Sequence, residues 1–253
     1  QGWPKFAAHL WLATEDNGLA ALVYAPSEVS AKVADGVEVK LIEDTQYPFD
    51  ENIKIIVTPT RDVEFPLHFR IPSWCLNGSI AVNGKEYARP KPGTIEKVKR
   101  VWKKGDVVEV RLPMKVRLSR WFEESVGVER GPLVFALGLK EEWNKIKGEE
   151  PYATYTVSTK EPWNYGLVIP DENKVDSIFR LEQKTPASQP FTLADAPVTL
   201  RVQAKRITEW QEYGGFAGPL PWSPIRSRQP VEEIVLVPYG CTKLRISEFP
   251  VAE

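Results

Sequence analysis

The sequence predicts an all-β protein made of antiparallel β-sandwich units, one or two packed sandwiches, with very little helix. Short runs alternate apolar and polar residues, as strands with one buried face do. Gly, Pro and Asn-Gly signals separate the runs, and long strand–helix alternation is absent. The pattern is clearest in Phe65–Ile71, which is followed by Ser79–Val82 and then by Asn83-Gly84, a dipeptide typical of tight hairpin turns.

The first half of the chain contains a series of predicted strands joined by turn residues. They are Phe6–Ala13, Leu19–Ala25, Val29–Val33, Val37–Glu43, Ile53–Val57, Phe65–Ile71, Ser79–Val82, Val108–Leu112, Val126–Glu129 and Leu133–Leu139. Phe6–Thr14 on its own also fits a short helix. Leu133–Leu139 is almost continuously apolar, which predicts a strand in the middle of a sheet.

The pattern changes at Lys140–Pro151, a charged segment that fits a short helix and predicts a domain boundary. We therefore expect one sandwich over residues 1–139 and a second over residues 140–253. The predicted strands of the second are Thr154–Ser158, Ile178–Glu182, Val198–Ile207, Glu232–Pro238 and Lys243–Ser247. Between Glu209 and Gln229 lies a long loop rich in Gly, Pro and aromatic residues. Loops longer than about 12–15 residues are usually functional or disordered, and the aromatic content favours an ordered one.

Charge and length limit the classes of function. The 253 residues carry 33 Lys and Arg against 34 Asp and Glu, a balance that gives no field for holding a nucleic acid. No apolar run approaches the ~20 residues of a membrane-spanning helix. The single methionine is Met114 rather than the first residue, so we expect a processed form or a piece of a longer protein.

Candidate catalytic and metal-binding groups are few. The sequence has two histidines, and His68 falls on the polar face of its strand, which favours a surface role over that of a catalytic base. Neighbouring carboxylates on a strand point to opposite faces, so the Glu-Glu pairs in the chain cannot act together on one glycosidic bond. Asp44, Asp50 and Glu51 match no calcium-loop spacing. We predict no catalytic residue, no metal site and no cofactor.

The two cysteines, Cys75 and Cys241, are too few for a disulfide framework and lack zinc-site spacing. Two buried thiols are the favoured interpretation. One long-range disulfide in an oxidising compartment remains the alternative.

Aromatic residues are the remaining functional signal, since the chain contains 9 tryptophans. The candidate carbohydrate-binding residues are Trp163, Tyr165, Trp210, Tyr213 and Trp222, and Phe216 lies in the same loop. Aromatic ring faces suit the C–H surfaces of sugars. The alternative, which we favour, is that these rings fill the ends of a sandwich or an interface with another domain.

A series of short motifs in order resembles the region after the catalytic barrel in glycoside hydrolase family 127 (GH127), the β-L-arabinofuranosidase-like proteins. The motifs are Tyr24–Ser27, Glu43–Asp50, Leu67–Cys75, Val82–Gly84, Trp102–Asp106, Leu112–Met114, Glu129–Val134 and, resembling the C-terminal end of bacterial members, Pro238–Ile246. The resemblance implies that a cysteine nucleophile, a zinc site and a glutamate reside in an upstream (α/α)6 barrel. It gives no catalytic role to Cys75 or Cys241, which match sandwich motifs.

Three functional hypotheses follow. The first is a non-catalytic accessory β-sandwich region of a bacterial glycoside hydrolase, packing against the upstream barrel. The second is a carbohydrate-binding module whose partner is a plant or microbial polysaccharide. The third, an independent enzyme on a β scaffold, has the least support because acidic pairs and histidines are scarce. Polysaccharide-degrading relatives suggest a periplasmic or secreted location.

Overall fold

The computed structural model describes residues 2–253 and divides the chain into two compact units. Unit 1 ends at Met114 and unit 2 is Lys115–Glu253. The division thus falls before the predicted boundary at residues 139 and 140. The reason is strand pairing: Val126–Arg130 pairs with Val116–Arg120, and Leu133–Leu137 pairs with Val231–Pro238, so both belong to the second unit.

Unit 1 consists of one short helix and ten strands within its described residues. Their bounds are α1 (Gly2–Ala7), β1 (Trp11–Ala13), β2 (Leu19–Ala21), β3 (Ser27–Val33), β4 (Val37–Thr45), β5 (Asn52–Pro59), β6 (Val63–Arg70), β7 (Ser79–Val82), β8 (Lys85–Ala88), β9 (Ile95–Trp102) and β10 (Asp106–Arg111). A four-stranded sheet has the order β1-β2-β6-β9, and a six-stranded sheet has the order β3-β4-β5-β10-β7-β8.

The two sheets of unit 1 share one hydrophobic core, as a sandwich requires. Phe65, Leu67 and Phe69 alternate along β6 and are fully buried. Val39 on β4 and Ile55 on β5 belong to the same cluster from the other sheet. β2 and β6 pair in parallel because the chain crosses to the other sheet between them, while the other pairs in these two sheets are antiparallel.

Local turn chemistry explains why several strands could be predicted. Asn83 and Gly84 both have positive φ, 51° and 74°, which is the type I′ turn expected between β7 and β8. Strand β9 was missing from the prediction, because charged residues make up half of it and only Val98 and Trp102 are buried. The predicted strand at Phe6–Ala13 is shortened to β1, and the residues before it form α1.

Unit 2 contains twelve strands, with one short helix and three single-turn 3-10 helices. The strands are β11 (Val116–Arg120), β12 (Val126–Arg130), β13 (Leu133–Leu137), β14 (Glu142–Lys147), β15 (Thr154–Ser158), β16 (Tyr165–Leu167), β17 (Arg180–Gln183), β18 (Val198–Arg206), β19 (Glu212–Tyr213), β20 (Phe216–Ala217), β21 (Val231–Pro238) and β22 (Glu248–Phe249). The helices are α2 (Val175–Ile178) and the 3-10 turns Phe122–Glu124, Glu172–Lys174 and Tyr239–Cys241.

The main sheet of unit 2 closes on itself through its last residues. Its order is β11-β12-β13-β21-β18-β16, with β13 inside the sheet as predicted. β22 pairs with β12, and two residues later Val251 bridges Leu167 on β16. The C-terminal segment therefore joins the two sides of the sheet. The interior includes fully buried Phe135 and Phe249.

Two predicted elements of unit 2 are wrong. Residues 140–151 contain strand β14 rather than a helix, since Gly148 adopts a positive φ of 85° and turns the chain back to β15. The Trp143 and Tyr155 rings then pack edge to face, with centroids 5.7 Å apart. Residues 243–247 are irregular, and the strand lies just after them at β22.

Candidate functional site

The five candidate sugar-binding aromatics do not form one surface. Tyr165 and Trp210 are buried, so their rings are not available to a ligand. Trp163 is partly buried and packs against Trp210, with ring centroids 5.0 Å apart and an interplanar angle of 76°. Tyr213 and Trp222 are exposed. Burial thus removes two of the five from the predicted site, and these two have packing roles.

Asn164 fixes the loop that begins after β18. Its side-chain amide donates hydrogen bonds to the carbonyl oxygens of Ile207 and Trp210, both at 2.9 Å. Its carbonyl oxygen accepts a bond from Arg206 Nε at 2.8 Å. The indole Nε1 of Trp210 donates to the Gly218 carbonyl at 2.9 Å. These long-range bonds make the loop an ordered part of unit 2, as its aromatic content predicted.

Tyr213 and Phe216 occupy the small hairpin β19–β20 in the first half of the loop. The turn between them is Gly214-Gly215, both with positive φ. The two side chains are about four-fifths exposed, at 79% and 78%. Apart from that hairpin pairing, no described contact fixes either ring, so this hairpin offers aromatic surface without a defined cleft.

A second exposed aromatic pair, Trp121 and Phe122, lies at the turn between β11 and β12 and was not predicted from the sequence. Both side chains are exposed on unit 2, and the backbone N–H of Ser223, next to Trp222, donates to the Glu123 carbonyl at 2.9 Å. This backbone hydrogen bond joins the turn that carries Trp121 and Phe122 to the segment that carries Trp222. Sequence alone gives no signal for this, because residues 122 and 223 are far apart in the chain.

Carboxylates in unit 1 have structural partners. Glu43 is 2% exposed and accepts hydrogen bonds from Trp11 Nε1 at 3.1 Å and from the Ala25 backbone N–H at 3.0 Å. Its burial raises its pKa to about 7, against the opposing effect of these donors. Asp16 accepts from Lys97 and from His68, and the Lys97 contact is the largest cause that lowers the pKa of Asp16.

The described residues do not assemble a metal centre. Within residues 2–253, no three His, Cys, Asp or Glu side chains lie together in a way that could hold a metal ion. None of the helices described for the chain combines the length and apolarity needed to cross a membrane.

Both cysteines are free and buried, which confirms the favoured interpretation. Burial raises the pKa of Cys241 to about 11, and it raises that of Cys75 as well. Since the thiolate is the reactive form, both residues behave as small apolar side chains at neutral pH.

A groove of about 700 Å³ runs over strands β3 to β5 of unit 1. Lys32, Lys40 and Lys104 line it together with Ser and Thr hydroxyls. Lys40 already pairs with Glu28 at 2.8 Å, and the lysines are exposed, so the groove has the character of a solvated sheet face.

Comparison with known proteins matches this architecture to one family. Residues 18–114 match the family model described as the middle domain of GH127 β-L-arabinofuranosidases. The match covers most of unit 1 and ends where that unit ends. Unit 1 is a GH127-like middle domain. A comparison with curated proteins gives no match.

Solved structures similar to the chain extend the likeness beyond this GH127-like domain. A GH127 β-L-arabinofuranosidase from Geobacillus stearothermophilus matches 97% of the chain with a TM-score of 0.66 and 24% identity. A structure described as a glycoside hydrolase matches 95% at a TM-score of 0.63 and 25% identity. A GH127 β-arabinofuranosidase matches 94% of the chain with a TM-score of 0.63 and 20% sequence identity.

The chain spans only about a third of those proteins, namely 35%, 37% and 35% of their respective lengths. The family match and the fold together identify a region associated with glycoside hydrolases. At sequence identities of 20–25%, the similarity to these structures shows a shared fold.

Proposed function

We propose that the chain is a non-catalytic accessory region of a GH127-like glycoside hydrolase, and that it packs against a catalytic barrel upstream of it in a longer protein. The short share of each solved relative that the chain spans supports this proposal. In this role the chain stabilises the barrel and contributes no residue to bond cleavage. The parent's sugar specificity belongs to the barrel.

The observation that carries the proposal is helix α1. The helix is six residues long, Gly2–Ala7, and has no buried residue. Trp3 and Phe6 stack edge to face at 5.9 Å and are both exposed. A helix this short is unstable in water unless it packs on something, since isolated helices need about 12–15 residues even to be marginal. An apolar surface outside the described residues would provide that packing.

Hydrogen exchange tests the packing of α1. The 253-residue chain and the longer protein that carries it should be compared by mass spectrometry of a peptide covering residues 2–7. We expect rapid exchange in the isolated chain and slow exchange in the longer protein, because docking would protect the helix amides. Equal exchange in the two proteins would refute the packing.

A matched pair of variants separates docking from general destabilisation. Trp3→Ser should lower the melting temperature of the longer protein but leave that of the 253-residue chain unchanged. Tyr152→Ser removes another aromatic side chain, one that is 88% exposed, and should change neither. Hydrolysis of a p-nitrophenyl β-L-arabinofuranoside by the isolated chain would contradict the non-catalytic role.

A second candidate function is carbohydrate binding. The exposed aromatics of unit 2 favour it, since exposed large apolar side chains that cluster are commonly binding sites. Of the residues that the sequence suggested, Tyr213 and Trp222 keep exposed rings.

A further inference from the structure

We propose that Trp121, Phe122 and Trp222 of unit 2, here called the Trp121 patch, bind the ring of a neutral sugar. The proposal deepens the carbohydrate-binding candidate and rests on the association of the chain with a glycoside hydrolase. The exposed fractions of the three side chains are 59%, 67% and 65%. Only Trp222 belongs to the set that the sequence suggested.

Trp121 is held in place although its ring is exposed. Its indole Nε1 donates a hydrogen bond to Ser119 Oγ at 2.8 Å. Ser119 pairs with Gly127 across strands β11 and β12, and a Cβ on Gly127 would lie 3.1 Å from that indole nitrogen. The absence of a side chain at Gly127 therefore lets the indole lie against the neighbouring strand. A fixed ring loses less entropy on binding than a mobile one.

The turn that carries Phe122 is equally fixed. Glu123 and Glu124 both adopt φ of 54°, the left-handed region that non-glycine residues seldom occupy. The Ser125 N–H donates to the Phe122 carbonyl at 3.1 Å, and Arg120 Nη1 donates to the Glu124 carbonyl at 2.6 Å. The surrounding bonds thus hold a costly conformation that keeps Phe122 in solvent.

The third ring belongs to a different segment that is bonded to this turn. The Ser223 N–H donates to the Glu123 carbonyl at 2.9 Å, which places Trp222 beside the turn. Ser223 is buried, and its Oγ accepts from the Val251 N–H at 3.0 Å. The segment holding Trp222 is therefore tied both to the turn and to the C-terminal strand.

The size and composition of the patch fit a sugar better than a protein. With about 250 Å² for a fully exposed ring, the three exposed rings present roughly 400–500 Å². A stable protein interface needs about 800 Å² on each side. The patch is also rimmed by Glu123 and Glu124, whose carboxylates can accept hydrogen bonds from sugar hydroxyls and would repel a uronate. We therefore assign the patch to a neutral mono- or disaccharide unit.

Titration of the 253-residue chain with arabinotriose and with cellotriose, followed by calorimetry and tryptophan fluorescence, tests the assignment. We expect saturable binding of at least one of these neutral sugars. Trp121→Ala and Trp222→Ala should each weaken it by about 3- to 10-fold, the scale of one aromatic contact. Trp143→Ala, which removes an exposed tryptophan of the same unit, should leave the affinity unchanged. Circular dichroism of each variant checks that it is folded.

Several results would overturn the proposal. They are the absence of binding by both sugars, an equal loss of affinity in Trp143→Ala and Trp121→Ala, and tighter binding of trigalacturonate than of the neutral sugars. The proposal would also be overturned if the longer protein protects the Trp121 patch from acrylamide quenching, because the patch would then be a contact between domains. Exchange at residues 2–7 does not depend on Trp121, so failure here is distinguishable from failure of the accessory role.

Discussion

Glu43 gives the sharpest prediction about stability, because a carboxylate lies where the strand pattern demands an apolar side chain. Along β4 it continues the buried row of Val39 and Leu41. One oxygen accepts from the Ala25 N–H, and the other accepts from Trp11 Nε1 and, at 3.4 Å, from Ser27 Oγ. The perturbation we consider is a change of pH, with Glu43→Gln as the variant that cannot titrate.

The magnitude follows from the raised pKa. Burial raises the pKa of Glu43 from 4.5 to about 7, so the folded protein holds this proton more tightly than the unfolded chain does. The stabilising contribution of the proton is therefore complete below pH 4.5 and is lost as the pH rises through 7. A difference of roughly 2.5 pKa units corresponds to about 3 kcal/mol, which is the most that unit 1 should lose over this window.

The two tyrosines of the same core and Asp16 titrate outside this window. The pKa of Tyr47 is raised to about 12 by burial, and that of Tyr24 is raised further by the same cause. Asp16 titrates below the window, because its hydrogen bond from Lys97 lowers its pKa. The slope that Glu43→Gln removes can therefore be assigned to Glu43.

Urea unfolding of the full chain, with hydrogen exchange of peptides from β4 to β6 to isolate unit 1, measures the effect between pH 5 and pH 8. The wild type should lose stability as the pH rises, whereas Glu43→Gln should be nearly flat. The variant should also lose about 1–3 kcal/mol at pH 5, since a Gln amide has one acceptor oxygen and its NH₂ cannot accept from either Trp11 or Ala25. Glu38→Gln, on the exposed face of the same strand, should keep the wild-type slope. A wild-type profile without slope, or a Glu43→Gln profile as steep as that of wild type, would contradict a raised pKa of Glu43 in the folded protein.

Two further substitutions test the packing of each unit. Gly18→Ala places a Cβ 2.1 Å from the Pro66 carbonyl oxygen, so we expect the free energy of unfolding in urea to fall by about 3 kcal/mol or more. Its control is Gly36→Ala, whose Cβ meets no atom within 4 Å and which should cost only about 1 kcal/mol. Asn164→Ala removes the partner of the buried Trp210 carbonyl and of Arg206 Nε, and it removes one of the two donors to the Ile207 carbonyl. It should destabilise unit 2 by about 2–4 kcal/mol and increase proteolysis of the loop after β18, whereas exposed Asn173→Ala should do neither. An Asn164→Ala variant with wild-type stability would contradict the anchoring role.

The strands that could be predicted are those specified by their own residues or by the adjacent turn. Asn83-Gly84 specifies its own turn, and the alternation in Phe65–Ile71 specifies which face of β6 is buried. Strand β9 could not be predicted this way, because its charged side chains face solvent and its place in the sheet comes from pairing with β6. The boundary between the units differs from the predicted one for the same reason. Strands β12 and β13 pair with strands about a hundred residues later, and nothing in their own sequence indicates to which unit they belong.

The aromatic residues show why composition cannot locate a site. Trp210 is buried, with its indole N–H bonded to the Gly218 carbonyl eight residues later in the same loop and its ring packed on Trp163 from a distant segment. Trp121 finds its hydrogen-bond partner only two residues away, at Ser119, and so needs no interior position to satisfy its nitrogen. What keeps it fixed while exposed is the register that sets Ser119 opposite Gly127. Ser119 and Gly127 were visible in the sequence, but their pairing across β11 and β12 was not, and that pairing explains why the Trp121 ring is fixed at the surface whereas that of Trp210 is buried.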